Sequence, residues 1–275
     1  MSETGSFSAF MKKQGISITF DRICIKALGA MAHGLFASLL IGTIIKTIGQ
    51  NVSALAFMVD YGNYASAVTG AAMACSIGYA LQCPPFVLYS LLAVGGAANT
   101  LGGAGGPLAV FFIALIAIFA GKLVSKTTPV DLIVTPFVTI MVGVFAATIL
   151  APPIGTFAIW LGKLTYMATN LQPFLMGIIV SASMGIILTL PISSAAVCAA
   201  LGLVGLAGGA AVAGCCAHMV GFAVASYREN KVGGLLAQGI GTSMLQVPNL
   251  MKKPILWMPA VVASIVNGPI ATCVF

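Results

Sequence analysis

Long apolar runs separated by short polar clusters set the pattern of this chain. The stretches 102–121 and 132–162 contain no charged residue at all. A helix of about 20 apolar residues crosses the hydrocarbon core of a bilayer, and both stretches reach that length. The pattern therefore predicts an all-α fold: a polytopic transmembrane helical bundle of about 8–10 spans, some of them broken or re-entrant.

Composition narrows the class of protein further. Only 6% of the residues are charged, 60% are hydrophobic, and the mean hydropathy is +1.10. A water-soluble domain carries roughly 25% charged residues, and an outer-membrane barrel shows short alternating segments instead of continuous apolar runs. The net charge of +7 comes from basic residues scattered between the runs, which is typical of topology determinants and does not predict nucleic-acid binding. The seven cysteines lack metal-ligand spacing, so we predict neither a metal nor another cofactor.

The polar clusters also suggest how one membrane domain over residues 1–275 is organised. Basic residues before the first span, including Lys12 and Lys13, predict a cytoplasmic N-terminus. A shift of about 104 residues aligns the two halves, as expected of an inverted repeat in a transporter; the alternative is a chance match of Gly- and Ala-rich segments. The apolar run that ends at Phe275 has no polar flank, so we expect the native chain to continue. The predicted parts are an interfacial helix at 1–22, a first span and loop at 23–63, a first repeat at 64–170 and a second repeat at 171–275.

Glycine and proline interrupt the apolar runs. Residues 99–107 combine four glycines with a proline, and a second interruption starts at Pro191. The Pro152–Pro153 and Gly268–Pro269 pairs are also expected to break their spans. Broken backbone inside a bilayer is tolerated when it is buried in protein or lines an aqueous cavity, although glycines can also simply let helices pack closely. The first interpretation predicts that a polar solute contacts Asn99, Thr100, Gly102, Gly103, Gly105, Gly106, Ser193 and Ser194.

Ionisable and amide side chains within the apolar runs are further candidates. His218 is a candidate solute ligand or proton carrier, with hydrogen bonding to a neighbouring carbonyl as the alternative, and His33 is a weaker one. Asp131, just before a span, is either a helix N-cap or a site residue together with Thr135. Asn267 is a candidate because it precedes the Gly268–Pro269 pair. No chain of carboxylates runs through the spans, which disfavours a proton pump and favours a neutral or weakly polar solute.

Several short motifs resemble one bacterial family. They are NTLGGAGGP at 99–107, KTTPVD at 126–131 leading into TP at 135–136, LPISSA at 190–195 and NGP at 267–269. Together they resemble the second EIIC-type family of the phosphotransferase system, which includes toxin-regulator-like membrane proteins, over most of the chain from about residue 20. The resemblance implies a sugar permease of the bacterial plasma membrane, typically a homodimer, whose transport domain moves against a scaffold domain. It also implies cytoplasmic EIIB and EIIA partners that phosphorylate the sugar.

Two departures from the better-studied glucose-type EIIC proteins limit the chemistry expected of this chain. No glutamate falls within a predicted span, and the chain carries no soluble domain with a phosphorylatable cysteine. We therefore expect it to hold no catalytic residue of its own. The leading hypothesis is a permease for a small polar solute, a sugar or sugar derivative, that works by alternating access in the lipid bilayer. The alternatives are a membrane sensor or regulator that does not transport, and an ion-coupled secondary transporter.

Overall fold

The computed structural model describes residues 19–274, and this part of the chain is helical throughout. It is 89% helix, with no strand among the described residues. Five of its helices are long and apolar enough to cross a membrane, and the apolar helix Pro173–Thr189 is shorter. The predicted all-α, polytopic class is therefore confirmed. Two of the five, Pro85–Val124 and Asp131–Asn170, are helical stretches of 40 residues that include short 3₁₀ turns, and each joins two apolar segments of the sequence. The five stretches and the predicted 8–10 spans therefore do not count the same elements. The predicted interfacial helix at 1–22 lies almost wholly outside the described residues.

The helices are numbered α1 to α12 in chain order. The first of them, α1, includes short stretches of wider, π-type turns. Short 3₁₀ turns at Gly103–Gly105, Ala168–Asn170, Ser243–Gln246 and Pro254–Trp257, and a π-type turn at Ala237–Gly241, connect some of the others. The bounds are α1 Asp21–Asn51, α2 Met58–Ala67, α3 Thr69–Ala80, α4 Pro85–Gly102, α5 Gly106–Val124, α6 Asp131–Met167, α7 Pro173–Thr189, α8 Ser194–Leu201, α9 Gly205–Ala225, α10 Tyr227–Leu236, α11 Val247–Lys252 and α12 Met258–Cys273.

Contacts between residues divide the described chain into two compact units. The first unit comprises residues 19–102 and 108–153, and the second comprises 103–107 and 154–274. The division passes through the Gly-rich connection between α4 and α5, and again through α6 after Pro153.

In the first unit, α1 packs against α2 and α3, and α3 packs against α4. Met31, Met73 and Leu91 are fully buried in its core. Gly70 of α3 and Gly95 of α4 lie so close that a Cβ atom on either would fall on the carbonyl oxygen of the other. Small residues at helix contacts let backbones approach to this distance, so these glycines are needed for packing.

In the second unit, α7, α9 and α12 pack against one another in all three pairs. A Cβ atom on Gly214 of α9 would fall on the backbone of Ser181 in α7. Side chains also join the helices: the Ser181 hydroxyl donates to the carbonyl of Ser264 at 2.7 Å, and the Thr272 hydroxyl donates to the carbonyl of Pro173 at 2.8 Å. These bonds hold α7 and α12 in a fixed register.

Two of the four predicted helix breaks are confirmed and two are wrong. The interruption at 99–107 is real but short: α4 continues to Gly102, and Gly103, with φ of +51°, starts a single 3₁₀ turn. The break at Pro191 is confirmed, because α7 ends at Thr189 and α8 begins at Ser194. The expected stop at Pro152–Pro153 is wrong, since α6 continues to Met167 with both prolines inside it.

The expected break at Gly268–Pro269 is also wrong, because α12 runs to Cys273 with Pro269 inside the helix. A proline removes one backbone donor and clashes with the carbonyl four residues earlier. A helix in an apolar environment still keeps its remaining backbone hydrogen bonds, because no water is present to replace them. Proline therefore predicts a local distortion here better than it predicts a helix end.

Candidate functional site

A buried hydroxyl–imidazole cluster lies in the second unit where three elements meet. Thr189 ends α7, His218 lies in the middle of α9, and Ser243 begins the 3₁₀ turn after Thr242. The Thr189 hydroxyl oxygen is 3.0 Å from Nδ1 of His218 and 2.8 Å from the Ser243 hydroxyl. All three side chains are 0% exposed. Buried polar groups are retained at such depth when they bond to one another, and these three do.

One polar atom of this cluster stays unsatisfied. The Nε2 atom of His218 is buried and makes no hydrogen bond to any of residues 19–274. The imidazole ring instead meets two aromatic rings edge-on, Phe222 at a centroid distance of 5.7 Å and Trp257 at 6.0 Å. A buried polar atom without a partner costs roughly 1–3 kcal/mol, so its presence in a native site calls for a functional explanation.

The hydrogen bonds around Thr189 indicate whether Nε2 of His218 is a hydrogen-bond donor or an acceptor. The Thr189 hydroxyl donates to the carbonyl of Gly185 at 3.0 Å. With that proton committed, Nδ1–H of His218 and the Ser243 hydroxyl both donate to the Thr189 oxygen, which has two lone pairs. A neutral imidazole protonated on Nδ1 has a bare lone pair on Nε2. The free group is then a hydrogen-bond acceptor.

A chain of amide side chains starts next to this cluster. Asn249 Nδ2 donates to Gln246 Oε1 at 2.8 Å, and Gln246 Nε2 donates to Gln238 Oε1 at 3.0 Å. Gln238 Nε2 then donates to the Ser226 hydroxyl at 2.9 Å. Gln246 and Ser243 belong to the same 3₁₀ turn, which is how the amide chain and the His218 cluster are connected.

A cavity of about 450 Å³ opens beside the amide chain. Its size falls within the range of about 300–1,000 Å³ that small-molecule sites occupy. Phe222, whose ring meets His218, forms part of its wall. The polar groups in the lining are the hydroxyl of Ser226, the amides of Asn230, Gln246 and Asn249, and the charged side chains of Glu229, Lys252 and Lys253.

The two interruptions predicted from sequence meet in the second unit. The backbone N–H of Ser193 donates to the carbonyl of Ala104 at 3.0 Å, which joins the start of α8 to the Gly-rich turn. Ser193 itself caps α8, since its hydroxyl accepts from the N–H of Ala196 at 3.3 Å. A Cβ atom on Gly105 would lie 2.7 Å from the carbonyl oxygen of Ile154, so this glycine also permits close packing.

Comparison with protein-family models settles which family this chain belongs to. The model described as "Phosphotransferase system, EIIC" matches residues 25–274. The chain belongs to this EIIC family. No curated protein and no solved structure gives a significant match. Membership makes the chain a multi-pass membrane permease component of the phosphotransferase system, a class that works with cytoplasmic EIIB and EIIA components on sugars.

The remaining predicted residues of the EIIC chain are not among those that line this cavity. Asn99 is half-buried on α4, and the exposed Thr100 hydroxyl donates to the carbonyl of Gly96 on its own helix at 2.9 Å. Asp131 accepts from the backbone N–H of Lys126 at 2.7 Å and from the Thr135 hydroxyl at 2.6 Å. The first bond ties the preceding loop to α6, and the second lies within the first turns of α6. The expected N-cap bond to the first turn of α6 is replaced by this arrangement.

Three other predicted candidates, His33, Asn267 and Ser194, lie in different parts of the structure. His33 is exposed on α1, and Asn267 is exposed on α12, next to a shallow groove lined by small and apolar residues of α9 and α12. Ser194 lies near the buried cluster, because it hydrogen-bonds the thiol of Cys215, three residues before His218 on α9. Among residues 19–274 no group of three metal-ligating side chains comes together.

Sequence reasoning found His218 but not its partners in the EIIC chain. A signal for the amide chain was available: polar residues recur at 238, 242, 246 and 249 in an otherwise apolar stretch, close to the spacing of one helix face. Thr189 gave no such signal, since its partners are 29 and 54 residues away in sequence. The missed residues are Thr189, Ser226, Ser243, Gln246, Asn249 and Trp257.

Proposed function

We propose that this EIIC chain binds a small polar solute, a sugar or sugar derivative, in the cavity of the second unit and translocates it by alternating access. The observation that carries the proposal is the cavity itself, which is bordered by an unbroken chain of three amides and a hydroxyl. Sugars present hydroxyl groups that both donate and accept hydrogen bonds. Side-chain amides and serine have the same dual capacity, so they suit such a solute better than a purely apolar or purely charged one.

The His218 cluster supports a deeper contact for the same solute. Nε2 of His218 is an unsatisfied acceptor, and Phe222, whose ring meets the imidazole edge-on, lines the cavity. A solute hydroxyl that reached Nε2 would supply the missing donor and remove the cost of leaving that atom unpaired. Phe222 offers the cavity an aromatic surface that suits the C–H groups of a sugar ring.

The distribution of charge favours a cavity that opens towards the cytoplasm. Of the basic residues in the second unit, Arg228, Lys231, Lys252 and Lys253 all lie in the segment around the cavity, and Lys163 lies on α6. Basic residues concentrate on the cytoplasmic side of membrane proteins. A cytoplasmic mouth would let the EIIB partner deliver a phosphoryl group to a sugar bound there, and the lysines would attract that anionic group.

Some predictions from sequence are not part of this site and stay predictions. They are solute contact by Asn99, Thr100, Gly102, Gly103, Gly105, Gly106, Asp131, Thr135, Ser193, Ser194 and Asn267, the inverted repeat with its boundaries, the homodimer and the cytoplasmic N-terminus in a bacterial plasma membrane. For the solute itself, the cavity in the second unit provides the more specific hypothesis, because its polar groups form one connected hydrogen-bonded set.

The test is binding and uptake by the purified full-length protein. Thermal-shift binding to a panel of sugars and polyols identifies a solute, and proteoliposome uptake with and without its phosphorylating partners follows transport. We expect His218→Ala to abolish binding or weaken it at least tenfold, because the deepest acceptor is lost. Thr148→Ala is the control, since Thr148 is an exposed residue of the first unit whose hydroxyl donates to the carbonyl of Phe145 on its own helix, and it should bind as the wild type does.

The alternatives give different results in the same experiment. Binding without uptake, even with the partners present, would support a sensor or regulator. Uptake that stops when an ion gradient is collapsed would support an ion-coupled transporter. Equal binding by the His218→Ala variant and the wild type would overturn the site proposed here, although the protein would remain an EIIC permease component.

A further inference from the structure

We infer that Gln238, which does not line the cavity, sets the direction of the hydrogen bonds within it and thereby the hydroxyl pattern that the solute must present. The inference rests on the proposed function, because it concerns how the same cavity selects its solute. Gln238 is a positioning residue in this proposal: it acts through Ser226 and Gln246, which do line the cavity.

The burial of Gln238 gives it this role. Its side chain is 2% exposed, and it lies on the π-type turn Ala237–Gly241, which packs against α9. Both ends of its amide are engaged: Oε1 accepts from Gln246 and Nε2 donates to Ser226. Rotating this amide alone by half a turn would place Nε2 against Nε2 of Gln246, two donors facing each other, so Gln238 couples the orientation of Gln246 to that of Ser226.

The orientation of the Gln238 amide affects the hydrogen-bonding groups at both ends of the amide chain. Because the Ser226 oxygen already accepts from Gln238, its hydroxyl proton is available as a donor. At the other end, Asn249 uses one N–H on Gln246, which leaves both its Oδ1 acceptor and its second N–H donor for a solute. The amide chain therefore fixes a donor at Ser226 on the cavity wall, whereas Asn249 can either donate or accept. A solute that fits must place an acceptor near Ser226.

This polarity leads to selection among sugar hydroxyl groups. A hydroxyl that only needs to accept, as at Ser226, can be replaced by fluorine, whereas a hydroxyl that must donate cannot. A site built to hydrogen-bond a hydroxyl rejects an analogue that lacks it, because its own polar group is then left unpaired. The ratio of affinities for a sugar and its fluoro and deoxy analogues measures the polarity directly, separately from overall affinity.

The experiment compares that ratio in three proteins. Wild type, Gln238→Glu and the control Gln172→Glu are purified at full length and titrated with the best-bound sugar and with its deoxy and fluoro analogues at each position. Ionised glutamate keeps the shape of glutamine but replaces the Nε2 donor with an acceptor, so the Ser226 proton turns towards residue 238. Because burial favours the neutral carboxyl group, which would still donate, the titrations are run at alkaline pH. We expect at least a tenfold change in the ratio at one hydroxyl position for Gln238→Glu. No change is expected for Gln172→Glu, because Gln172 is exposed.

Each outcome of this experiment supports or overturns the inference. A common loss of affinity for all analogues with an unchanged ratio overturns the inference, because a residue that only stabilises the fold would act in that way. If Gln238→Glu fails to fold, Ser226→Ala replaces it, and discrimination must be lost at the same single hydroxyl position. Binding of no sugar by the wild type overturns the proposed function and this inference together. Binding by the wild type with ratios unaltered in both variants overturns this inference alone.

Discussion

The two units of this chain pack their helices in the same way but use their polar side chains differently. In the first unit, hydroxyl groups donate to the carbonyl four residues earlier on their own helix, as Ser38, Ser66 and Ser90 do. In the second unit, Ser181, Thr189 and Gln246 bond to residues on other elements. In both units, glycines let the backbones of neighbouring helices come into similarly close contact.

The difference shows where a site can exist in an apolar protein. A hydroxyl bonded to its own helix is satisfied locally, and it neither holds two helices together nor offers a free group to a solute. A polar group that bonds to another element fixes the geometry of both, and a connected set of such groups can leave one member, here Nε2 of His218, available. The binding site is therefore expected in the unit whose polar bonds leave their own helices.

The first unit has a long-range polar contact of another kind. The buried Lys122 ammonium donates to the carbonyl of Leu81 at 2.7 Å, which joins the end of α5 to the loop after α3. In that loop, burial raises the pKa of the Cys83 thiol to about 11, so the thiol stays protonated at neutral pH. This contact closes a loop at the helix ends.

The largest expected effect concerns the packing that both units share. In Gly214→Ala the new methyl group would meet the backbone of Ser181, which cannot move aside as a side chain could. We expect a loss of about 3 kcal/mol in the free energy of unfolding, at the upper end for overpacking. Gly209 lies on the same helix, and a Cβ atom added there would have nothing within 4 Å. Gly209→Ala should therefore be neutral or stabilising by about 0.5–1 kcal/mol.

Denaturation of the detergent-solubilised protein measures both variants. The Gly95→Ala and Gly96→Ala pair repeats the comparison in the first unit, where only Gly95 faces a backbone carbonyl. Equal stability of Gly214→Ala and Gly209→Ala would show that α7 and α9 are not packed as closely as described.

A smaller effect separates the two units. Thr189 and Thr139 are both fully buried, and both donate to the carbonyl four residues earlier. Only Thr189 also bridges His218 and Ser243. Thr189→Val keeps the shape but leaves two buried groups unpaired, so we expect a loss of about 2 kcal/mol in stability together with weaker solute binding.

Thr139→Val provides the matched control in the first unit. It removes one local bond and no bridge, so the change in stability should stay within about 0.5 kcal/mol and binding should not change. Equal effects of the two valine substitutions, measured by the same denaturation and binding assays, would contradict the distinction between the units.

Much of the fold could be predicted from sequence because its causes are local. The scarcity of charge requires apolar solvation, and continuous apolar runs at that density form helices. The turn at Gly103 and the break at Pro191 follow from the residues at those positions. The continuation of α6 through Pro152 and Pro153 could not be predicted in this way, because it depends on the helix on either side of the prolines.

The candidate site could be predicted only in part, for a related reason. His218 is conspicuous because an ionisable group in an apolar run requires an explanation. Its partners are an ordinary threonine at a helix end and a serine in a Gly-rich segment, and only the packing of α7 and α9 brings them together. Ser193 shows the opposite case, because a break that suggested solute contact holds a helix cap.

The smallest expected effect tests a single interhelical bond. The Ser181 hydroxyl donates to the carbonyl of Ser264 on α12 at 2.7 Å, whereas the Ser90 hydroxyl donates to the carbonyl of Phe86 on its own helix at the same 2.7 Å. Both serines are buried. Ser181→Ala should cost about 0.6 kcal/mol, the average measured for hydrogen bonds between membrane helices. Ser90→Ala should cost close to nothing, because alanine is a better helix former and no second helix loses a partner. Denaturation of the two variants side by side measures the difference in the free energy of unfolding. Equal losses in Ser90→Ala and Ser181→Ala would mean that a hydrogen bond between two helices stabilises this protein no more than one within a helix.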